Sequence, residues 1–75
     1  METSLDKIKI GESCTIKYIK ITGAMRRRLF DIGLIEGTKI SCILKSPSGN
    51  PTAYKIRGAI IAIRKTDSKN IMVIV

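Results

Sequence analysis

The apolar residues of this chain occur in short stretches that alternate with polar residues, and this pattern restricts the fold more than any other feature. Residues 14–21 read CTIKYIKI and residues 38–45 read TKISCILK, with apolar and polar side chains in alternation. Such alternation is typical of a β-strand that buries one face. Three further short strands are predicted, at 54–57, 59–63 and 71–75. Because barrels remove exposed strand edges, about five short strands with tight turns predict a small β-barrel.

The first predicted strand changes its phase within the segment. Cys14, Ile16 and Tyr18 are expected to face inward, but Ile19 and Ile21 then occupy the apolar positions. A shift of one position in a strand is what a β-bulge or a sharp bend produces. We therefore predict a bulge in this strand.

The second predicted strand is more regular. Ile40, Cys42 and Leu44 are expected to face inward, while Ile43 breaks the alternation and is expected to be an exposed apolar residue. The run AIIAI at 59–63 is apolar on both faces, which predicts a strand near the middle of a small closed structure.

Turn residues separate these segments. Residues 46–51 read SPSGNP and predict a loop, and residues 67–70 predict a tight turn. Gly58 is expected to mark a kink or a close approach of two backbones.

Only the segment that follows the first strand has helical spacing. Its apolar residues recur at i, i+4 and i+7, and they are Met25, Leu29 and Ile32. Thr22 is the expected N-cap, and Gly33 is placed for the left-handed position that ends a helix. Leu34 would then fold back on Leu29. A helix of about ten residues is too short to be stable alone, so it must pack on the barrel.

The composition limits the classes of function. The chain has 75 residues, which we interpret as a single domain, and it carries 14 basic and 6 acidic residues for a formal charge of +8. Such a charge favours an anionic partner, namely nucleic acid, an acidic protein face or an acidic membrane surface. Its apolar runs are too short to span a bilayer, and the first residues lack an apolar signal core. We expect a cytoplasmic protein.

Catalytic and metal chemistry find little support in the sequence. The chain has no histidine, and its acidic residues are not clustered, so we expect no enzyme activity, no metal site and no cofactor. Its two cysteines, Cys14 and Cys42, each lie in an apolar alternation and are expected to be small buried residues in a reducing compartment.

Three consecutive arginines, Arg26, Arg27 and Arg28, lie on the predicted helix. Successive helical residues turn by 100°, so these side chains spread over about 200° and cannot form one flat patch. Three interpretations stay open: a solvated helix face, a docking surface for an acidic partner, and a nucleic-acid contact.

The order of these motifs resembles the FeoA family, ferrous iron transport protein A of bacteria. The resemblance runs from about Leu5 to Val75. It rests on the segment RRLFDIGLIEG, the loop PSGNP and the segment RGAIIAIRK. The matching positions are Arg27, Arg28, Leu29, Asp31, Gly33, Leu34, Gly37, Pro47, Gly49, Gly58, Ile61, Ala62, Ile63 and Arg64. Glu36 stands where the family often has proline, and Ile32 where it often has methionine.

The resemblance implies an SH3-like barrel with one short helix inserted after the first strand. It also implies a cytosolic accessory of FeoB, the iron transporter with a cytosolic G-domain, and peripheral membrane contact through that partner alone. We expect the protein to bind the cytosolic part of FeoB and to modulate its activity. The candidate partner-binding residues are Arg26, Arg27, Arg28, Phe30, Ile35, Ile43 and Tyr54.

Two alternatives remain at this point. One is a small barrel that binds nucleic acid, for which Tyr18, Phe30 and Tyr54 would have to stack on bases although they lie on three different elements. We expect no nucleic-acid partner. The other is weak self-association through a strand edge or through Ile43.

Overall fold

Six strands and two short α-helices form the protein in a computed structural model that describes residues 1–75. The strands are β1 (Glu2–Ser4), β2 (Ser13–Ile19), β3 (Lys39–Lys45), β4 (Thr52–Ile56), β5 (Ala59–Ile63) and β6 (Ile71–Ile74). The helices are α1 (Ala24–Asp31) and α2 (Lys65–Ser68), and a 3-10 turn covers Leu5–Lys7. The prediction of a mainly β chain with one helix inserted early is confirmed. Strand β1 was not predicted, because its polar residues have no alternation.

All six strands belong to one antiparallel sheet in the order β1-β6-β2-β3-β4-β5. Strand β6 therefore lies between β1 and β2, and β5 lies at an edge. The prediction that residues 59–63 occupy the middle of the structure is wrong. Ile63 is buried and Ile61 is half-buried, but the side chain of Ile60 is 65% exposed. The outer face of β5 is therefore apolar but exposed to solvent.

The predicted bulge in β2 is confirmed. Ile16 pairs with Val73 of β6, and the next pair joins Tyr18 to Met72, so one residue of β2 is extra. The shift leaves Tyr18 exposed, which corrects the expectation that it faces inward.

A second bulge lies in β3 between Cys42 and Leu44, since Cys42 pairs with Tyr54 and Leu44 pairs with Ala53. Leu44 is consequently exposed, and the prediction that it faces inward is wrong. The expected exposure of Ile43 is confirmed.

Helix α1 ends as the sequence predicts but begins differently. Gly23, with φ 76°, occupies the N-cap position and no side chain caps the helix, so the N-cap prediction for Thr22 is wrong. At the other end, Gly33 has φ 95° and its N–H donates to the carbonyl of Phe30 at 3.0 Å. The N–H of Leu34 donates to the carbonyl of Leu29 at 2.9 Å, which completes a Schellman motif.

The residues around Gly58 form a hairpin turn. Arg57 and Gly58 both have positive φ, 50° and 83°, and join Ile56 to Ala59 as a two-residue turn. Positive φ at both positions is typical of a type I′ turn, whose twist matches that of the strands. The expected kink at Gly58 is therefore a chain reversal. The region predicted as a tight turn at 67–70 instead begins within α2.

The core lies on the inner face of the sheet. It contains thirteen buried residues: Leu5, Ile8, Cys14, Ile16, Leu29, Leu34, Ile40, Cys42, Tyr54, Ile56, Ile63, Ile71 and Val73. Both cysteines are buried free thiols, as predicted. Leu29 is the buried residue of α1, and it fixes that helix against the sheet next to β5.

Candidate functional site

A groove of about 690 Å³ runs between α1 and the edge strand β5. Residues of α1, β5 and α2 line it, namely Met25, Arg28, Leu29, Ile32, Ile61, Ala62, Ile63, Arg64, Thr66 and Asp67. Its volume is within the range of roughly 300–1,000 Å³ that is usual for ligand pockets. The groove is larger than a second depression on α1, which has a volume of about 370 Å³.

The helical wall of the groove is an apolar stripe that the core covers only in part. Met25, Leu29 and Ile32 share one helix face. Leu29 is buried and Met25 is half-buried, whereas Ile32 is 40% exposed. The stripe therefore continues beyond the core and offers apolar surface to the groove.

The opposite wall is the edge of a strand. Four consecutive residues, from Ile61 to Arg64, line the groove, although successive side chains of a strand point to opposite faces. This is possible because the edge itself, with its main-chain groups, borders the groove. Strand β5 pairs with β4 alone.

The hairpin geometry determines which main-chain groups of β5 point outward. In a hairpin with a two-residue turn, the closing pair Ile56 and Ala59 is hydrogen-bonded, and bonded pairs then alternate with non-bonded ones. Ile61 is therefore bonded to β4, whereas Ile60 and Ala62 direct their N–H and C=O groups away from it. No other element donates to or accepts from these two residues.

The charges along the groove are mainly positive. Arg28 and Arg64 line it and are exposed, and Asp67 is the only acidic residue in its lining. The whole chain carries a formal charge of +8. An anionic segment is thus better suited to this groove than a cationic one.

The three candidate arginines have different surroundings, in agreement with the predicted spread around the helix. Arg26 is half-buried, donates from Nη1 to the carbonyl of Ile19 at 3.1 Å and lies 4.7 Å above the ring of Phe30. It joins α1 to the end of β2. Arg27 is exposed beside a shallow second depression, and Arg28 alone of the three faces the groove.

The other candidate contact residues are dispersed. Phe30 is 43% exposed beneath Arg26, Ile35 is half-buried between α1 and β3, and Ile43 is exposed at the bulge of β3. Tyr54 is only 1% exposed. The structure thus corrects the candidate role of Tyr54, because a buried side chain on β4 cannot contact a partner.

Sequence reasoning missed the residues of β5 and the arginine beside them. Arg64 follows the apolar run 59–63 directly, but its position at a groove depends on β5 being an edge strand. Arg57 was also missed: its Cδ atom lies 2.8 Å and its Nε atom 3.2 Å from the point that a Cβ atom at Gly33 would occupy. Arg57 therefore covers the C-terminal end of α1, where a positive charge is favourable.

The metal-binding and nucleophilic side chains of the protein are dispersed or buried. No group of three or more histidine, cysteine, aspartate or glutamate side chains is placed to hold a metal ion. Burial raises the pKa of the Cys14 thiol to about 11, and burial also raises the pKa of Cys42. Neither helix is long and apolar enough to cross a membrane.

Comparison with known proteins identifies a matching family. The FeoA domain family model matches residues 3–75. A curated relative from Porphyromonas gingivalis, a fusion protein of Fe(2+) transport protein A and the Fe(2+) transporter FeoB, is 25% identical over 69 residues. That match covers 92% of this chain and 8% of the fusion protein, so the chain spans a small part of the relative.

Solved structures show the same fold. An FeoA-like protein from Clostridium acetobutylicum is similar with a TM-score of 0.87 and 31% identity, over 99% of this chain and 86% of that one. FeoA from Stenotrophomonas maltophilia, described as a prokaryotic SH3 domain protein complexed with zinc, has a TM-score of 0.83 and 21% identity. This match covers 95% of this chain and 88% of that one. The predicted SH3-like architecture is confirmed.

Proposed function

Since the chain belongs to the FeoA family, we propose that it is a cytoplasmic accessory of bacterial ferrous iron uptake. In this role it binds the cytosolic part of a FeoB-type transporter and modulates transport activity. The observation that carries the proposal is the relative from P. gingivalis, in which a segment similar to this chain is joined to FeoB in one polypeptide. Joining two modules raises the effective concentration at which they meet, which is useful where they act together.

The groove between α1 and β5 is the surface that we propose for this contact. It combines exposed apolar side chains, unpaired main-chain groups and two arginines, whereas Ile35 and Ile43 lie elsewhere. Apolar contact supplies affinity, and the arginines favour an acidic face of the partner and speed its approach. Arg27 and Phe30 lie beside the second depression and would extend this contact around the helix.

Nucleic-acid binding has less support. With Tyr54 buried, Tyr18 and Phe30 are the aromatic side chains left to stack on bases, and they lie on different elements. Each ring is already covered by a cation of the protein, Lys20 at 5.8 Å over Tyr18 and Arg26 at 4.7 Å over Phe30. These surroundings do not form a stacking platform of successive aromatic rings.

A titration with the soluble cytosolic region of FeoB from the same organism tests the binding step. We expect saturable binding that weakens with added salt, and weaker binding by Ile32→Asp, which places a charge in the groove. Ile10→Asp is the matched control, since Ile10 is an exposed apolar residue outside the groove. Absence of binding at tens of micromolar, at both low and moderate salt, would contradict the proposal.

Iron uptake tests the functional step. Cells that carry FeoB should lose ferrous iron uptake under iron-limited, anaerobic conditions when this protein is deleted, and regain it with the wild-type chain or Ile10→Asp. Restoration by Ile32→Asp to the same level would show that the groove is not the working surface.

A further inference from the structure

We propose that the free edge of β5 binds an extended segment of a partner protein by strand addition, and that this segment alternates acidic with aliphatic side chains. The partner's identity rests on the proposed function, but the binding mode rests on the edge itself. The N–H and C=O groups of Ile60 and Ala62 point away from β4 and bind no other element. An extended chain laid beside β5 would pair with them as a seventh strand.

The β5 edge lacks the features that normally prevent strand addition. Natural edges are shortened, bulged, covered, or interrupted by proline or charged residues. Strand β5 has the sequence AIIAI, pairs with β4 over five residues without a register shift, and borders an open groove. The other edge strand, β1, has only three residues. An unprotected apolar edge is an aggregation hazard, so the presence of this edge is best explained by a role in binding a partner strand.

The groove has room for the side chains of the added strand. Adjacent strands lie about 4.8 Å apart, which places the added chain between β5 and α1. Every second side chain of that segment would point toward the apolar stripe of Met25 and Ile32, where aliphatic residues fit. The intervening side chains would face solvent beside the arginines.

The positive charge beside the groove favours an acidic partner segment. Arg28 and Arg64 flank the groove, with Asp67 as the opposing acid, so acidic side chains in the added segment would be attracted. A second copy of this chain is a poor occupant, because each copy carries a formal charge of +8 and the two would repel. The favoured partner is therefore an acidic protein segment.

Amide hydrogen exchange with two variants tests the binding mode. Ala62→Pro removes the outward N–H and places a ring at the edge, a position where proline is tolerated because the lost N–H makes no ladder bond. Ala62→Val is the matched control, which adds bulk and keeps the N–H. The probes are the cytosolic region of FeoB and a synthetic peptide of alternating glutamate and valine, with a lysine–valine peptide for comparison.

Strand addition at β5 should protect the outward amides and depend on the charge of the groove. The cytosolic region of FeoB or the glutamate–valine peptide should slow exchange of the Ile60 and Ala62 amides. Ala62→Pro should weaken binding by at least about tenfold, while Ala62→Val changes it by less than about threefold. Arg64→Glu should weaken binding by about fivefold, and Lys69→Glu, at an exposed position outside the groove lining, should change it by less than about twofold. If Ala62→Pro fails to fold, strand addition is tested by amide exchange of the wild-type chain and by the comparison of Arg64→Glu with Lys69→Glu.

Failure of this proposal differs from failure of the proposed function. If FeoB binds while exchange at Ile60 and Ala62 is unchanged, strand addition is wrong and the accessory function stands. If FeoB does not bind but the acidic peptide protects both amides, the edge is a strand-addition site for a different partner. Protection by neither probe, or equal protection by the lysine–valine peptide, or concentration-dependent self-association through β5, would overturn the inference.

Discussion

The C-terminal end of α1 leads to a quantitative prediction, because Gly33 satisfies two requirements that can be separated. Its φ of 95° lies in the left-handed region, and the side chain of Arg57 occupies the space where a Cβ atom would project. Gly37 has nearly the same φ, 88°, but nothing lies within 4 Å of its Cβ position. Gly37 is therefore a control for the backbone requirement alone.

The two substitutions to alanine should have different costs. A non-glycine residue in the left-handed region costs about 1–2 kcal/mol, which both Gly33→Ala and Gly37→Ala should show. At Gly33 the new Cβ would lie 2.8 Å from Cδ of Arg57, so that side chain must leave its position. Forcing a side chain off its rotamer costs about 0.5–1.5 kcal/mol, and Gly33→Ala should be more destabilising than Gly37→Ala by that amount.

Urea unfolding followed by far-ultraviolet circular dichroism measures these differences. In thermal unfolding, the Tm of Gly33→Ala should be lower than that of Gly37→Ala by about 2–12 °C, since each kcal/mol shifts the Tm of a domain this small by roughly 4–8 °C. In an Arg57→Ala background the extra cost should disappear, because the obstructing side chain is gone. Comparison within that background also removes the effect of losing a cation near the helix end.

Two results would refute this reasoning. Equal costs at Gly33 and Gly37, unchanged by Arg57→Ala, would show that Arg57 does not restrict the helix end. Wild-type stability of Gly33→Ala would show that α1 does not need a left-handed residue at this position.

Three further predictions follow from the buried and exposed ionisable groups. Cys14 and Cys42 should not react with a thiol reagent at pH 8 until the protein unfolds, because burial raises both pKa values. With a pKa of about 11, only about one Cys14 thiol in a thousand is ionised at that pH. Fast reaction of the native protein would contradict this. Burial raises the pKa of Tyr54 from 10.0 to about 12. The neutral phenol therefore contributes fully to stability below pH 10, and the free energy of unfolding should fall by roughly 2–3 kcal/mol as the pH rises toward 12. A Tyr54→Phe variant, which cannot ionise at this position, should lose less stability over that interval. Lys17→Ala, which removes the exposed ion pair with Glu2, should leave the urea midpoint unchanged, and a clear loss of stability would show that the pair matters more than exposed pairs usually do.

Most of the strands and the helix α1 could be predicted because the patterns that specify them extend over only a few neighbouring residues. The alternation in β2 and β3, the phase shift near Tyr18 and the left-handed glycine after α1 are local features, and each was found from the sequence. The errors at Tyr18 and Leu44 arose because a bulge reverses the facing of later residues, and its exact position depends on the partner strand.

The candidate site was less predictable because it depends on the order of the strands. The run AIIAI has the composition of a central strand, and nothing within it shows that β5 has a partner on one side only. Ile32 and Arg28 face the groove because Leu29 fixes the rotation of α1 on the sheet. Arg26 and Tyr54 were predicted as contacts from their residue types, but one binds the main chain of β2 and the other is buried.

The place of β6 in the sheet has a consequence for how the chain acquires its structure during synthesis. Residues 71–74 pair with both β1 and β2, so β1 has no partner, and β2 has β3 alone, until residues 71–74 have left the ribosome. Contacts between residues so distant in sequence slow folding, because a long loop must close before any pairing energy is gained. A chain that stops before Ile71 would lose an interior strand rather than an end, and it should be degraded instead of folding into a smaller domain.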